Sequence, residues 1–217
     1  MKNKTFFFDF DGVLADSVEV KTKAFAELFI SYGPDIQKQV IEHHRKNGGM
    51  TRQDKFRHYY NKFLKKPLDD EEMESLCSKF SSLVVNGVIA TPEIPGVSDF
   101  LKLWYRKVSC FVVSATPDDE IELIVEKRGL AKFFREVLGS SCTKKENLEK
   151  LIAKYDIIPK ESLFFGDAES DFEAAKACDI PFIGIVPGHD APLLKTQPYI
   201  KWYNNFIEIK SGDIHGF

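Results

Sequence analysis

Phe8-Asp9-Phe10-Asp11-Gly12-Val13-Leu14-Ala15-Asp16-Ser17 is the stretch on which the fold turns. The residues before it, Thr5 to Phe8, form a short apolar run of the kind that makes a buried strand. Both carboxylates therefore fall where a strand runs out. In an open α/β sheet, ligands gather beyond the carboxyl ends of the strands. Gly12 permits the turn that lets successive backbone N–H groups converge on an anion. Taken alone, an Asp-x-Asp-Gly string is equally an ordinary acidic turn.

Further apolar runs recur at Ser109 to Val113, Ser162 to Phe165 and Pro181 to Val186, with shorter strands expected at Glu136 to Gly139 and Tyr199 to Trp202. Helical periodicity fills Asp118 to Lys127, Lys144 to Tyr155 and Ser170 to Ala177. This alternation predicts an α/β fold, a Rossmann-like, doubly wound and mainly parallel sheet with helices on both faces. One interval breaks the rhythm. Val18 to Ser31, Ile36 to Lys46, Arg52 to Phe63 and Asp70 to Val85 read as successive amphipathic helices without a strand, with Asp35, Thr51 and the acidic run from Asp69 as their N-terminal signals. The expected organisation is an α/β body of residues 1–15 and 88–217, with an all-helical insertion over 16–87.

Three later signals fall at further strand ends. Ser114, Ala115 and Thr116 place small and hydroxyl groups where a phosphate oxygen could be held, although Ser114 could also cap the helix that follows Pro117. Thr143-Lys144-Lys145 opens a helix with cations, against the macrodipole, which makes sense if one of them faces an anion. Lys144 is the choice over Lys145, although spacing alone does not settle it. Gly166-Asp167-Ala168-Glu169-Ser170-Asp171 adds carboxylates after a strand. Asp167 suits a hard divalent cation beside Asp9, because Mg²⁺ takes one or two carboxylates with phosphate and water. Asp171, a helical turn on, could orient Asp167, a water or Lys144, and Glu169 reads as exposed.

In order, Asp9-Phe10-Asp11-Gly12-Val13, Ser114, Lys144 and Gly166-Asp167 with Asp171 resemble the four motifs of the haloacid dehalogenase superfamily, over nearly the whole chain. The helical interval sits where that superfamily carries its small type 1 cap. The resemblance implies a mobile cap, a Mg²⁺ ion and an aspartyl-phosphate intermediate. It implies Asp9 as nucleophile, Mg²⁺ held by the Asp9 carboxylate, the Asp11 carbonyl and Asp167, and Asp11 as general acid and base. That last role needs a raised pKa on Asp11. Ser114, Ala115 and Lys144 would hold the transferring group.

An acid two residues after the nucleophile argues against dehalogenase and phosphonatase activity. The expected function is a Mg²⁺-dependent phosphatase of a small phosphomonoester, with phosphoglycolate phosphatases nearest in layout. Gly49-Met50-Thr51-Arg52-Gln53-Asp54 looks like the segment by which β-phosphoglucomutases grip a distal phosphate, so a sugar phosphomutase is the alternative. A non-catalytic regulatory protein of the same fold is a second. Arg52 and Lys21 are candidate substrate contacts from the cap, whereas His43 and His44 read as parts of a solvated turn between helices.

Composition bounds the rest. The chain has 217 residues, 43% of them hydrophobic, a net charge of −3 and no dense basic run, so it can bury a core and points to neither nucleic acid nor an anionic membrane surface. No apolar segment suits a signal peptide or a membrane-spanning helix, and the four cysteines lack zinc-type spacing and read as reduced, mostly buried thiols. The expected setting is cytoplasmic, the expected state a monomer or weak dimer, and the expected partner a small phosphorylated metabolite.

Overall fold

The computed structural model describes residues 4–214. Strand β1 (Thr5–Phe8) lies inside a six-stranded sheet of order β3-β2-β1-β4-β5-β6, the others being β2 (Ser109–Val113), β3 (Glu136–Leu138), β4 (Ser162–Gly166), β5 (Phe182–Ile185) and β6 (Lys201–Tyr203). Every neighbouring pair is parallel. Phe8 pairs with Val112 on one side and Phe165 on the other, so the residues that follow β1, β2 and β4 arrive together at one end of the sheet. The strand order reverses at β1, which puts the crevice for a ligand there.

Three successive phenylalanines make a strand here because both faces are covered. Phe6 and Phe8 pack with Phe100, Phe165 and Phe206 on one face, and Phe7 with Phe111 and Phe164 on the other. The rings of Phe8 and Phe165 stack at 5.0 Å and those of Phe7 and Phe111 at 5.6 Å. Each such burial is worth about 1.5 to 3 kcal/mol. Helix α5 (Val97–Trp104) covers the first face, and α7 (Lys144–Tyr155) and α8 (Glu169–Ala177) the second. Helix α6 (Asp118–Lys127) follows β2, and α9 (Pro192–Thr196) precedes β6.

Residues 18–90 are helical: α1 (Val18–Leu28), α2 (Pro34–Lys46), α3 (Arg52–His58) and α4 (Asp70–Ala90). Phe25, Phe29, Phe56, Tyr59 and Phe80 pack together among them. Several ends differ from the sequence reading. Helix α1 stops at Leu28 and a 3₁₀ turn, Ile30–Tyr32, follows. Helix α2 starts at Pro34 behind Gly33, so Asp35 lies in its first turn and is not its cap. Proline is favoured there because its missing N–H belongs to the unpaired set at a helix start. Helix α3 passes into a π turn, Tyr59–Leu64, and α4 runs on to Ala90, beyond the expected boundary at residue 87. Thr51 and Asp69 do cap α3 and α4 through their side chains.

The chain leaves the sheet and returns to it along one seam. Asp16 N donates to Pro92 O at 3.0 Å, Thr91 Oγ1 to Asp16 O at 2.6 Å, and Ala15 bridges Glu93. Arg128, just past α6, donates to the carbonyls of Val88, Ile89 and Thr91 at 2.7–3.0 Å and so satisfies the end of α4. Of the cysteines only Cys110 is buried, and the other three are partly exposed. No helix among the described residues is long and apolar enough to cross a membrane.

Candidate active site

Beyond the carboxyl ends of β1, β2 and β4 the structure brings together Asp9, Asp11, Ser114, Lys144, Asp167 and Asp171. Carboxylate oxygens of Asp9, Asp167 and Asp171 all lie within 4.8 Å of one another. Gly12 makes this possible. Its φ is +78°, and a Cβ there would sit 2.5 Å from Asp167 Oδ2. No other residue type combines that turn with that approach.

Lys144 settles the choice between the paired lysines. It is buried, with Nζ 3.0 Å from Asp9 Oδ1 and bonded to Asp171 Oδ1, whereas Lys145 pairs with Glu149 at the surface. A capping box from Thr143 and Glu146 sets the helix start that aims it inward. Burial opposes the Lys144 ammonium, but Asp171 and Asp9 outweigh it and hold its pKa above the ordinary value. The other oxygen of Asp171 accepts from the backbone N–H of Ala168 at 3.1 Å. Asp171 is thus fully engaged and orients Lys144.

The lysine does not balance this much negative charge. Burial lifts Asp9 to about 7 although Lys144 opposes it. Asp167 stands well above the usual carboxylate range, through burial first and then the charges of Asp9 and Asp171. The ion pair with Lys144 is not aligned as a hydrogen bond, and Asp9 Oδ1 has no hydrogen-bond partner. Buried oxygen donors in excess of their counter-charge fit a hard divalent cation. Asp9 and Asp167 are the carboxylates free to hold one.

Asp11 turns away from that cluster. Ser17 Oγ donates to its Oδ1 at 2.6 Å, and Lys21 Nζ and Thr116 Oγ1 donate to its Oδ2. Burial alone would raise its pKa, but the Lys21 ammonium and these hydrogen bonds lower it. The raised pKa expected of an acid is therefore not found in this arrangement, because a cation has taken the carboxylate. Lys21, expected to touch substrate, also donates to Thr116 Oγ1 at 2.8 Å. Ser114 is buried, and its Oγ accepts from Thr116 N at 3.2 Å within the turn, while the helix after Pro117 has no side-chain cap.

Arg52 lines a cavity together with Asp9, Asp11 and Lys21 but is already taken. It makes a two-pronged ion pair with Glu120 of α6, at 2.7 and 2.5 Å, and donates to Ser81 Oγ of α4 at 2.6 Å. The expected substrate contact is in this structure an internal one. His44 is not solvated. It is 3% exposed and lines the cavity with Lys55, at 2%, which no motif singles out. The signal for Lys55 lies in its spacing: Arg52, Lys55, Phe56 and Tyr59 form the buried stripe of α3 and its continuation.

The cavity at Asp9 holds about 40 Å³ of free space, room for little more than water. The loop between α2 and α3 lies against its rim, where a Cβ on Gly49 would sit 1.8 Å from Ser170 Oγ. A larger groove of about 650 Å³, mostly apolar and bordered by Arg45, Lys46 and Lys195, meets it at Val18, Gly48 and Asp167.

A parallel α/β sheet carrying buried carboxylates and a lysine at its switch point defines a hydrolase of the phosphoryl-handling class. Residues 6–185 match the family described as haloacid dehalogenase-like hydrolase, and the chain belongs to that family. A phosphoglycolate phosphatase from Pseudomonas putida is 25% identical over 206 residues, which span 88% of this chain and 73% of that protein. A solved structure described as a predicted phosphoglycolate phosphatase from Haemophilus somnus superposes with a TM-score of 0.73 at 19% identity, covering 93% of this chain and 94% of the other. The β-phosphoglucomutase of Clostridium difficile gives 0.78 at 16% identity, covering 98% and 95%. Those two likenesses bear on the fold, and family and sequence relatives together make the protein a phosphatase, a phosphoric monoester hydrolase.

Proposed function

We propose that the protein is a Mg²⁺-dependent phosphatase of small phosphomonoesters, phosphoglycolate-like acids or sugar phosphates, acting through an aspartyl-phosphate on Asp9. The observation that carries this reading is the buried Asp9 carboxylate, with Asp167 within 4.8 Å and the Lys144 ammonium 3.0 Å from its Oδ1. Asp9 attacks phosphorus as the bond to the leaving oxygen breaks, and Lys144 and Ser114, with the N–H of Ala115, hold the nonbridging oxygens. Bound at Asp9 and Asp167, with the Asp11 carbonyl, Mg²⁺ would neutralise those oxygens so that one anion can approach another. Asp11 protonates the leaving oxygen, then takes a proton from the water that hydrolyses the acyl phosphate. For this it exchanges Lys21 and Ser17 for the leaving oxygen.

In this reading the helices between the seam residues Asp16 and Thr91 are a cap, and the rest of the chain is the catalytic core. A cavity of only about 40 Å³ at Asp9 supports a cap that opens to admit substrate and shuts to exclude water. The phosphomutase alternative needs a cation for a second phosphate. Arg52, its candidate, is held by Glu120, which favours the phosphatase.

The test is phosphate release from a phosphomonoester panel with and without Mg²⁺, for wild type and Asp9→Asn. Release that needs both Mg²⁺ and Asp9 supports the reading, whereas equal activity in Asp9→Asn removes the nucleophile. Isomerised sugar phosphate in place of free phosphate would make the protein a mutase.

A further inference from the structure

The cations around the cavity are matched to carboxylates of the chain in every case but one. Lys21 pairs with Asp11, Arg52 with Glu120, and Lys144 with Asp9 and Asp171. Lys55 has no carboxylate within ion-pairing distance among the described residues. Its Nζ touches only His44 Nδ1 at 3.0 Å and Gly48 O at 3.3 Å, and lies 5.4 Å from the centre of the Phe25 ring. A buried ammonium without a counter-ion is costly.

His44 adds a second unsatisfied group. Burial and the nearby Lys55 depress it to about 2, so the ring is neutral. With Nδ1 accepting from Lys55, its proton sits on Nε2, which is buried beside the Val18 backbone without a well-aligned hydrogen bond. A buried ammonium with only neutral acceptors and a poorly satisfied ring N–H thus line the cavity that holds Asp9, with no carboxylate among the described residues to receive them.

We propose that Lys55, oriented by His44, is the specificity-determining residue of the cap and receives a carboxylate on the leaving group of the substrate. The inference rests on the phosphatase reading above and names the substrate class within it: phosphomonoesters whose leaving group carries one negative charge. The transferring phosphoryl is served by Lys144 and the turn at Ser114, which leaves Lys55 for the other end of the molecule. One ammonium balances one carboxylate. A second phosphate, doubly charged, would call for a guanidinium fork, and the one in the cavity is held by Glu120.

The test is the charge series of two-carbon esters: phosphoglycolate, ethyl phosphate and O-phosphoethanolamine, whose leaving groups are negative, neutral and positive. Wild type, Lys55→Met and Lys55→Arg are assayed with Mg²⁺. Wild type is expected to prefer them in that order, a result that requires no variant to fold. Lys55→Met should cut the preference for phosphoglycolate over ethyl phosphate by about 10-fold or more, mainly through KM, and Lys55→Arg should restore part of it. Turnover of all three esters by wild type with no charge order would overturn the assignment and leave the phosphatase reading intact. An equal loss on all three in Lys55→Met, carried by kcat, would also overturn it, by moving Lys55 to the transferring phosphoryl. If wild type hydrolyses no phosphomonoester at all, the phosphatase reading falls, and this inference with it.

Discussion

Arg52 of α3 and Glu120 of α6 are joined by two hydrogen bonds, at 2.7 and 2.5 Å, across the contact between the inserted helices and the helices on the sheet. Both side chains are largely removed from water, and Ser81 completes the set from α4. Removing one partner of a buried pair strands the other. Glu120→Ala is therefore expected to cost about 3 to 5 kcal/mol in denaturant unfolding, while the double variant Arg52→Met, Glu120→Leu should recover much of that loss. If the single and double variants are equally unstable, the pair does not hold the two layers together.

The two neighbouring lysines of α7 should behave oppositely. Lys144→Ala leaves Asp9 and Asp171 without their shared counter-charge and should lower kcat by about 100-fold or more. Lys145, an exposed partner of Glu149, should change stability on Ala substitution by no more than about 0.5 kcal/mol and leave turnover intact. Steady-state kinetics on both variants with one substrate decides this.

Lys55 makes a prediction about pH. Burial pushes its pKa from 10.5 down to about 7, in a field set by Lys21, Asp11, Asp167, Lys144 and the contacting His44. Between those values the unfolded chain holds the extra proton, so stability rises with pH across the window. The cost of the buried charge is complete below pH 7 and gone near 10.5. Lys55→Met should thus raise the melting temperature by about 3 to 10 °C at pH 6, and the gain should vanish as the pH approaches 10. A gain of the same size at both pH values would show that packing, not charge, is responsible.

Arg128 ties the last carbonyls of α4 to the helices on the sheet. Arg128→Met should cost about 2 kcal/mol, since hydrogen bonds from a charged donor are lost and partly buried carbonyls are left unpaired. It should also speed proteolytic cleavage near residues 88–93, which limited digestion followed by mass spectrometry would report.

Much of this molecule is legible along the chain because the deciding interactions are local. Strands β1 and β2 carry apolar runs whose ends match the observed ones, and Asp9, Asp167 and Lys144 sit where strands or caps deliver them. The helical stretch is less legible. The π turn after α3 and the early stop of α1 reflect packing around Phe29 and Tyr59, which local propensity does not encode. The partners of Arg52, Lys21 and Lys55 are less visible still. Glu120 lies far along the chain from Arg52, and the pairing that lowers the Asp11 pKa needs α1 to lie over the turn after β1. The spacing of a lysine on a buried helical stripe is readable, but only folding reveals that no carboxylate meets it.

The seam at Asp16 and Pro92 has a mechanical consequence. Two chain crossings stitched to each other behave as a single pivot, since neither can slide without breaking the bonds between Asp16, Thr91 and Pro92. Arg52 and Glu120 clasp the far side, so the helices are tied to the rest of the chain at two separate places. In the cap reading, any swing of the helices that bares Asp9 has to release that clasp first.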